Sequence, residues 1–214
     1  PDSVTTIGPR AFFFCSELKT ADLGDAVTVV GDETFAGCRE LKTVTLPDTL
    51  AAIGEQAFHY CQSLTEIAIP AKTTRIESGA FSGCESLTEI AIPEGVLSLK
   101  GDTFRNCFKL AKVTLPTSVK TVSEGAFSGC EELKNVYYGG SAREKSKIDV
   151  AKENGELSSA QWHYAVEEEA QTVVKKDTEE EFVMPPWMKT ALYIGVLVVA
   201  IVVFILMFRN TSED

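Results

Sequence analysis

The chain has 214 residues, enough for one or two domains, and it carries 20 Lys and Arg residues against 31 Asp and Glu residues. The net charge of -11 argues against nucleic-acid binding, because an acidic surface repels phosphate backbones. The two histidines, His59 and His163, have no partners at the spacing of a metal site, so we expect neither a metal nor a cofactor.

A 23-residue repeat runs through the first two thirds of the chain. The six cysteines recur at this spacing, as do a phenylalanine three residues before each cysteine and a leucine three residues after it. The buried ladder predicted from the spacing consists of Phe35, Cys38, Phe58, Cys61, Phe81, Cys84, Phe104, Cys107, Phe127 and Cys130. A unit this short cannot bury a hydrophobic face alone, so the units should stack as a solenoid with one continuous core.

Each unit is expected to form a coil of strand, turn, short helical turn and return strand, which gives a right-handed solenoid. The segment "LTEIAIP" (64–70) alternates apolar and polar residues, which predicts a strand with one buried face. The segment "AFSGC" (80–84) predicts a short helical turn, closed before the cysteine by a residue with positive φ. Phe14 and Tyr60 stand where other units have Gly or Asn, so there the turn is expected to be either less strict or slightly strained.

The six cysteines are predicted to be free thiols. Matching residues of successive coils project in the same direction from strands about 4.8 Å apart, and parallel Cβ directions disfavour a disulfide. A buried cysteine packs as a small hydrophobe and is unreactive. Cys61 lies near His59, but the ladder accounts for the cysteine, and His59 is expected to be exposed. With no Ser/His/Asp, Cys/His or metal constellation, we expect no enzyme and no small-molecule substrate.

The unit "LAAIGEQAFHYCQSLTEIAIP" (50–70) resembles the leucine-rich repeat of the Treponema pallidum type, which occurs in BspA-like surface proteins. The resemblance covers residues 1–138 and implies a leucine-rich repeat solenoid, mainly β with short helical turns. Because Pro1 aligns with Pro47 at a repeat boundary and no capping unit precedes it, we expect the array to be truncated at its N-terminus.

Residues 139–164 are similar to the segment that often closes such arrays. Members of the family usually have a tryptophan at the place of Lys145 and an aliphatic residue at the place of Trp162. We therefore expect Trp162 to fill the space that the missing tryptophan leaves at Lys145.

Two columns of side chains are expected to point outward from the strands. They form the candidate partner-binding face, which consists of Thr43, Thr45, Glu66, Ala68, Glu89, Ala91, Lys112, Thr114, Asn135 and Tyr137. In repeat solenoids this face is commonly concave and binds partners. A solvated sheet face of β-favouring threonines is the alternative. Glu66 beside Glu89 would be a like-charge pair with a small cost in stability.

The last part of the chain predicts a membrane anchor. Residues 165–189 are charged, lack apolar periodicity and contain Pro185 and Pro186, which predicts an acidic stalk. Residues 190–208 carry no charge and would span roughly 28 Å as a helix, close to the hydrocarbon thickness of a lipid bilayer. We expect one transmembrane α-helix there, followed by a short tail at 209–214.

Basic residues flank this segment on both sides and do not set its orientation. The family resemblance implies a single-pass plasma-membrane protein with the solenoid outside the cell and the tail in the cytoplasm. It also implies a surface antigen that adheres to, or recognises, host, matrix or cell proteins through its strand face. The alternatives are a structural or antigenic coat protein without a specific ligand, and a tail-anchored cytosolic scaffold.

Overall fold

A computed structural model describes residues 3–165, which fold as a β-solenoid of about seven coils. The chain divides into two units, Pro1–Ala170 and Gln171–Asp214. The predicted transmembrane helix and tail lie outside the described residues, as does the predicted stalk beyond Ala165. Among the described residues, no helix has the length and apolar character needed to cross a membrane.

Each coil except the third is built from one short strand and one longer strand. In chain order the elements are β1 (Thr6–Ile7), β2 (Thr20–Asp22), β3 (Val29–Val30), β4 (Thr43–Thr45), β5 (Ala52–Ile53), β6 (Arg75–Ile76), β7 (Glu89–Ala91), β8 (Ser98–Leu99), β9 (Lys112–Leu115), β10 (Thr121–Val122), β11 (Asn135–Tyr138), α1 (Ala142–Lys145), β12 (Asp149–Val150), α2 (Gly155–Ser159) and β13 (Gln161–Tyr164).

Equivalent strands of successive coils pair in parallel. The short strands form the ladders β1-β3-β5-β6 and β8-β10-β12, and the longer strands form β2-β4 and β7-β9-β11-β13. Thr20 pairs with Thr43, and Glu89 pairs with Lys112, so the register follows the repeat. Val44 alone is buried in β4. A shift by one residue would bury its polar neighbours instead, and this sets the register.

The third coil departs from the predicted strand pattern. In residues 64–70, Leu64 and Ile67 are buried while Glu66 and Ala68 are exposed, yet the segment forms no strand. The prediction of a strand there is wrong, because alternation follows from burial alone, whereas a ladder also needs neighbouring coils at hydrogen-bonding distance. The longer-strand ladder is therefore divided between β4 and β7.

The segment between the short and the longer strand is a hydrogen-bonded turn, and the prediction of a short helical turn is wrong. In the second coil, Phe35 N–H donates to the Ala57 carbonyl of the third coil (2.8 Å), while Ala36 N–H closes a turn on the Glu33 carbonyl (3.1 Å). No helix forms because alternate N–H groups bond to the next coil and not along their own segment.

Phe14 and Tyr60 adopt the same backbone conformation as the glycines at their position in other coils. Their φ angles are 57° and 55°, against 78° for Gly37 and 74° for Gly83. The turn is therefore as strict in these coils as elsewhere. Of the two expectations, slight strain fits, because a side chain carries a steric cost in the left-handed region.

The core is a stack of matching side chains. Phenylalanine rings of successive coils from Phe35 to Phe127 stack with centroids 5.3–5.5 Å apart. Every side chain of the predicted Phe and Cys ladder is fully buried. Phe12 stacks on Phe35 at 5.1 Å but is 37% exposed, because no described coil packs against its other side. Stacking thus buries faces that no single coil could bury.

Residues 139–164 form the last coil, which adds β12 and β13 to the two sets of ladders. Helix α1 begins with a capping box between Ser141 and Glu144. The Glu144 carboxylate accepts hydrogen bonds from the backbone N–H and the hydroxyl of Ser141, and these bonds hold the pKa of Glu144 below its usual range. Lys145 Nζ lies 4.8 Å from the centroid of the Trp162 ring, which also packs on the core. That Trp162 fills the space at Lys145 stays a prediction, which the stability of a Trp162→Ala variant tests.

Candidate partner-binding face

The longer strands present an open groove of about 640 Å³ that crosses four coils, hereafter the strand groove. Of the predicted partner-binding residues, it is lined by Thr43, Thr45, Glu66, Ala68, Glu89, Ala91, Lys112 and Thr114. The groove lies where the third coil leaves the ladder, and the short side chains of Ala68 and Ala91 are part of its lining. Asn135 and Tyr137 lie one coil further along the same face.

The charges of the strand groove are unevenly paired. Lys112 Nζ lies 3.2 Å from Glu89 Oε2, an exposed ion pair between paired positions of β7 and β9. Within residues 3–165, the Glu66 carboxylate has no ion pair or side-chain hydrogen bond, although it occupies the matching position of the third coil. Because Lys112 compensates Glu89, Glu66 carries the uncompensated negative charge of the groove.

The C-terminal end of the face is aromatic. Tyr137 stacks on His163 of the last coil with ring centroids 4.6 Å apart, and Lys112 Nζ lies 5.5 Å from the Tyr137 centroid. His163 Nε2 lies 3.0 Å from Asn135 Oδ1. Tyr137 remains 40% exposed and lines a smaller hollow of about 250 Å³ with Tyr138 and Gly139. These contacts hold one exposed ring rigidly, which lowers the entropy cost of binding against it.

The predicted Phe and Cys ladder lies on the inside of the solenoid and does not contribute to this face. All six cysteines are free, with Cys15 exposed and the others buried. Each buried thiol donates to the phenylalanine carbonyl of the preceding coil, as Cys61 Sγ does to Phe35 O at 3.2 Å. Burial raises the pKa of Cys38 to about 11 and that of Cys130 to about 12. These thiols therefore stay protonated near neutral pH and are poor nucleophiles.

His59 is half-buried, which corrects the expectation that it is exposed. Its ring lies 4.1 Å from that of Tyr60, and Nδ1 lies 3.1 Å from the Ser82 carbonyl oxygen. Desolvation lowers the pKa of His59. The Cys61 thiol bonds to a core carbonyl and is not paired with this histidine. In the described part of the chain, no cluster of His, Cys, Asp and Glu is placed to hold a metal ion.

Two residues of the last coil escaped the sequence reasoning. His163 continues the column of Tyr137, and Asn154 accepts a hydrogen bond from Phe127 N–H at 3.0 Å through Oδ1. Neither is visible from the repeat, because the closing coil is longer than 23 residues and its positions fall out of phase. The sequence feature that could have predicted the strand with His163 is the alternation in "QWHY" (161–164) after a helix-forming segment.

Comparison with known proteins places these features in a family. The model of the BspA type leucine-rich repeat region matches residues 1–84 and 51–147, with six copies. A leucine-rich repeat protein of T. pallidum is similar at 33% identity, over 65% of this chain and 71% of that chain, with a TM-score of 0.61. No curated protein sequence matches the chain significantly.

Two further solved structures share the architecture. A leucine-rich repeat protein from Bacteroides ovatus matches at 25% identity over 77% of this chain and 54% of that chain, with a TM-score of 0.57. The pneumococcal vaccine antigen PcpA matches at 20% identity over 71% of this chain and 40% of that chain, with a TM-score of 0.59. This chain therefore spans about half the length of the Bacteroides protein and less of the pneumococcal one. At 20% identity, the likeness to the pneumococcal antigen concerns the fold alone.

Proposed function

The chain belongs to the BspA-type leucine-rich repeat family, and from that premise we propose that it is a cell-surface protein that adheres to, or recognises, another protein through its strand face. The strand groove carries this proposal. It gathers outward side chains of four coils into one open depression, as a protein ligand requires.

The composition of the face supports a protein partner. Thr, Ala and charged side chains line the groove, and an exposed tyrosine held by a histidine lies at one end. Tyrosine is among the residues that dominate binding energy in protein interfaces, and the small side chains beside it leave room for a partner's own side chains. A protein interface therefore fits this surface better than a solvated sheet face does.

The membrane anchor is the second part of the proposal. It is supported by the uncharged stretch at 190–208 and by the acidic segment before it, which would hold the solenoid away from the bilayer. We place the solenoid outside the cell and the tail in the cytoplasm. Protease treatment of intact cells tests this: digestion of the solenoid is the expected result, and protection would favour a tail-anchored cytosolic scaffold.

Adhesion of cells that display the full chain tests the binding face. The variant Thr45→Lys/Ala68→Lys/Ala91→Lys fills the strand groove with long cationic side chains and should lower adhesion about tenfold or more. The control Ala51→Lys/Thr74→Lys adds lysines at exposed positions on the short-strand side and should adhere normally. Equal adhesion of all variants would reject the strand face as the binding surface and favour a coat protein without a specific ligand.

A further inference from the structure

The strand groove and the exposed ring at its end lie at a distance that a short peptide can bridge. Glu66 belongs to the third coil and Tyr137 to the sixth, in adjoining outward columns. Three coil steps at the spacing of about 4.8 Å between paired strands give roughly 14 Å along the solenoid, and the two-residue offset between the columns adds roughly 7 Å along the strand. The two backbone positions are therefore at least roughly 16 Å apart, since the third coil is not paired as a strand with its neighbours.

Glu66 has the environment of a binding group for a cation. Its neighbours at the matching positions are Thr43 and Glu89, so one side offers no charge and the other offers a like charge. Glu89 is relieved by Lys112, whereas within the described structure nothing relieves Glu66. A partner's Lys or Arg would supply the missing charge, and its aliphatic stem would lie over Ala68 and Ala91.

Lys112 shows what such a contact looks like on this face. Its ammonium group lies 3.2 Å from Glu89 Oε2 and 5.5 Å from the centroid of Tyr137. One aliphatic stem thus joins a carboxylate to an aromatic ring across two coil steps. A basic partner residue at Glu66 would form the same kind of ion pair as Lys112 forms with Glu89, in a coil where the described part of this chain supplies no cation.

We propose that the strand groove binds an extended segment of a partner protein that carries a Lys or Arg against Glu66 and, four residues away, an apolar side chain against Tyr137. An extended chain advances about 3.3 Å per residue, so four residues cover roughly 13 Å, and the long stem of the Lys or Arg side chain spans the remaining few ångströms to Glu66. Residues i and i+4 of a strand point to the same side, so both side chains would face the groove. This inference rests on the proposed function and specifies the partner's chemistry.

The experiment selects binders from a random dodecapeptide phage library against the immobilised full chain. The expected result is enrichment of peptides with a basic residue followed or preceded at four residues by an apolar one. For these peptides, Glu66→Gln and Tyr137→Ala should each weaken binding about five- to tenfold. Added salt should weaken binding to the parent chain more than binding to Glu66→Gln.

The control is Glu124→Gln, which makes the same charge change at an exposed position on the turn side and should bind like the parent. The inference is overturned if the enriched peptides bind Glu66→Gln and Tyr137→Ala as tightly as they bind the parent chain. If the enriched peptides lack the motif but fail to bind the Thr45→Lys/Ala68→Lys/Ala91→Lys variant, this inference is overturned while the proposed function stands. Enrichment of no peptide, or binding of glycans on an array instead, also overturns it.

Discussion

Bulky residues and glycines alternate at the position before each cysteine, and this alternation solves a local packing problem. The column reads Phe14, Gly37, Tyr60, Gly83, Asn106 and Gly129, and all six residues have positive φ. A Cβ at Gly83 would lie 2.6 Å from the Tyr60 ring, and a Cβ at Gly37 would lie 3.1 Å from that of Phe14. Each ring thus occupies the space that the next glycine leaves, so the packing unit here is a pair of coils.

We predict that Gly83→Ala lowers the free energy of unfolding by about 2–3 kcal/mol, because the new methyl group meets Tyr60 and the left-handed conformation disfavours alanine. In a Tyr60→Gly background the steric part should vanish and leave about 1 kcal/mol. Urea unfolding of both pairs measures the coupling. Gly155→Ala, where no atom lies within 4 Å, is the control and should be neutral or slightly stabilising. Equal costs in the two backgrounds would refute this contact.

At the scale of the element, the last described coil pairs with the sixth coil partly through side chains that take the place of backbone carbonyls. Inside the array, Phe104 N–H donates to the Ala126 carbonyl of the next coil at 2.8 Å. In the sixth coil the equivalent Phe127 N–H donates to Asn154 Oδ1, and Gly129 N–H donates to Glu156 Oε1 at 2.9 Å. These N–H groups of the sixth coil are therefore satisfied by side chains of the last coil, where earlier coils supply backbone carbonyls.

Asn154 is buried, and its Nδ2 also donates to the carbonyls of Ser123, Ala151 and Lys152. We predict that Asn154→Leu, similar in volume, costs about 2–4 kcal/mol because it leaves these groups unpaired. Faster hydrogen exchange at the Phe127 amide should accompany the loss. Glu153→Gln, an exposed neighbour, is the matched control. Parent-like stability of Asn154→Leu would show that the amide is not required.

For the whole molecule, the stacked thiols make the stability of the fold depend on pH in the alkaline range. Burial raises the pKa of Cys84 and of Cys107 well above the ordinary value of 9.0, and those of Cys38 and Cys130 to about 11 and about 12. The folded chain therefore keeps protons that the unfolded chain releases above pH 9. Below that pH both states are protonated, so the stability from these thiols is fully present there and is lost as pH rises.

We predict that the free energy of unfolding, and with it the urea midpoint, falls steeply above pH 9. Each buried thiol should contribute a slope of about 1.4 kcal/mol per pH unit to the free energy of unfolding. Cys84→Ala should be less stable at neutral pH but should show a slope smaller by one thiol. Cys15→Ala, which removes the exposed cysteine, should keep the parent slope. A midpoint that is flat between pH 8 and pH 10 would contradict the prediction.

Much of the molecule follows from the repeat alone. The spacing of Phe58, Cys61 and Leu64 predicted the solenoid and the buried column, because matching side chains are buried in every coil that has a neighbour on both sides. The family resemblance is confirmed by the match over residues 1–147. The outward positions were also readable, since the strand groove is lined by the predicted columns of Thr43 and Thr45 and their equivalents.

The sequence by itself determined which side chains face inward, because periodic burial depends only on the order of apolar residues. Only the tertiary structure decided how the coils bond to each other: the turn that replaces a helix at Phe35, the missing strand at Glu66 and the amide of Asn154 that pairs with the sixth coil. Each of these depends on the distance between groups of different coils. The free charge at Glu66 belongs with them, since it depends on where the Lys112 side chain lies.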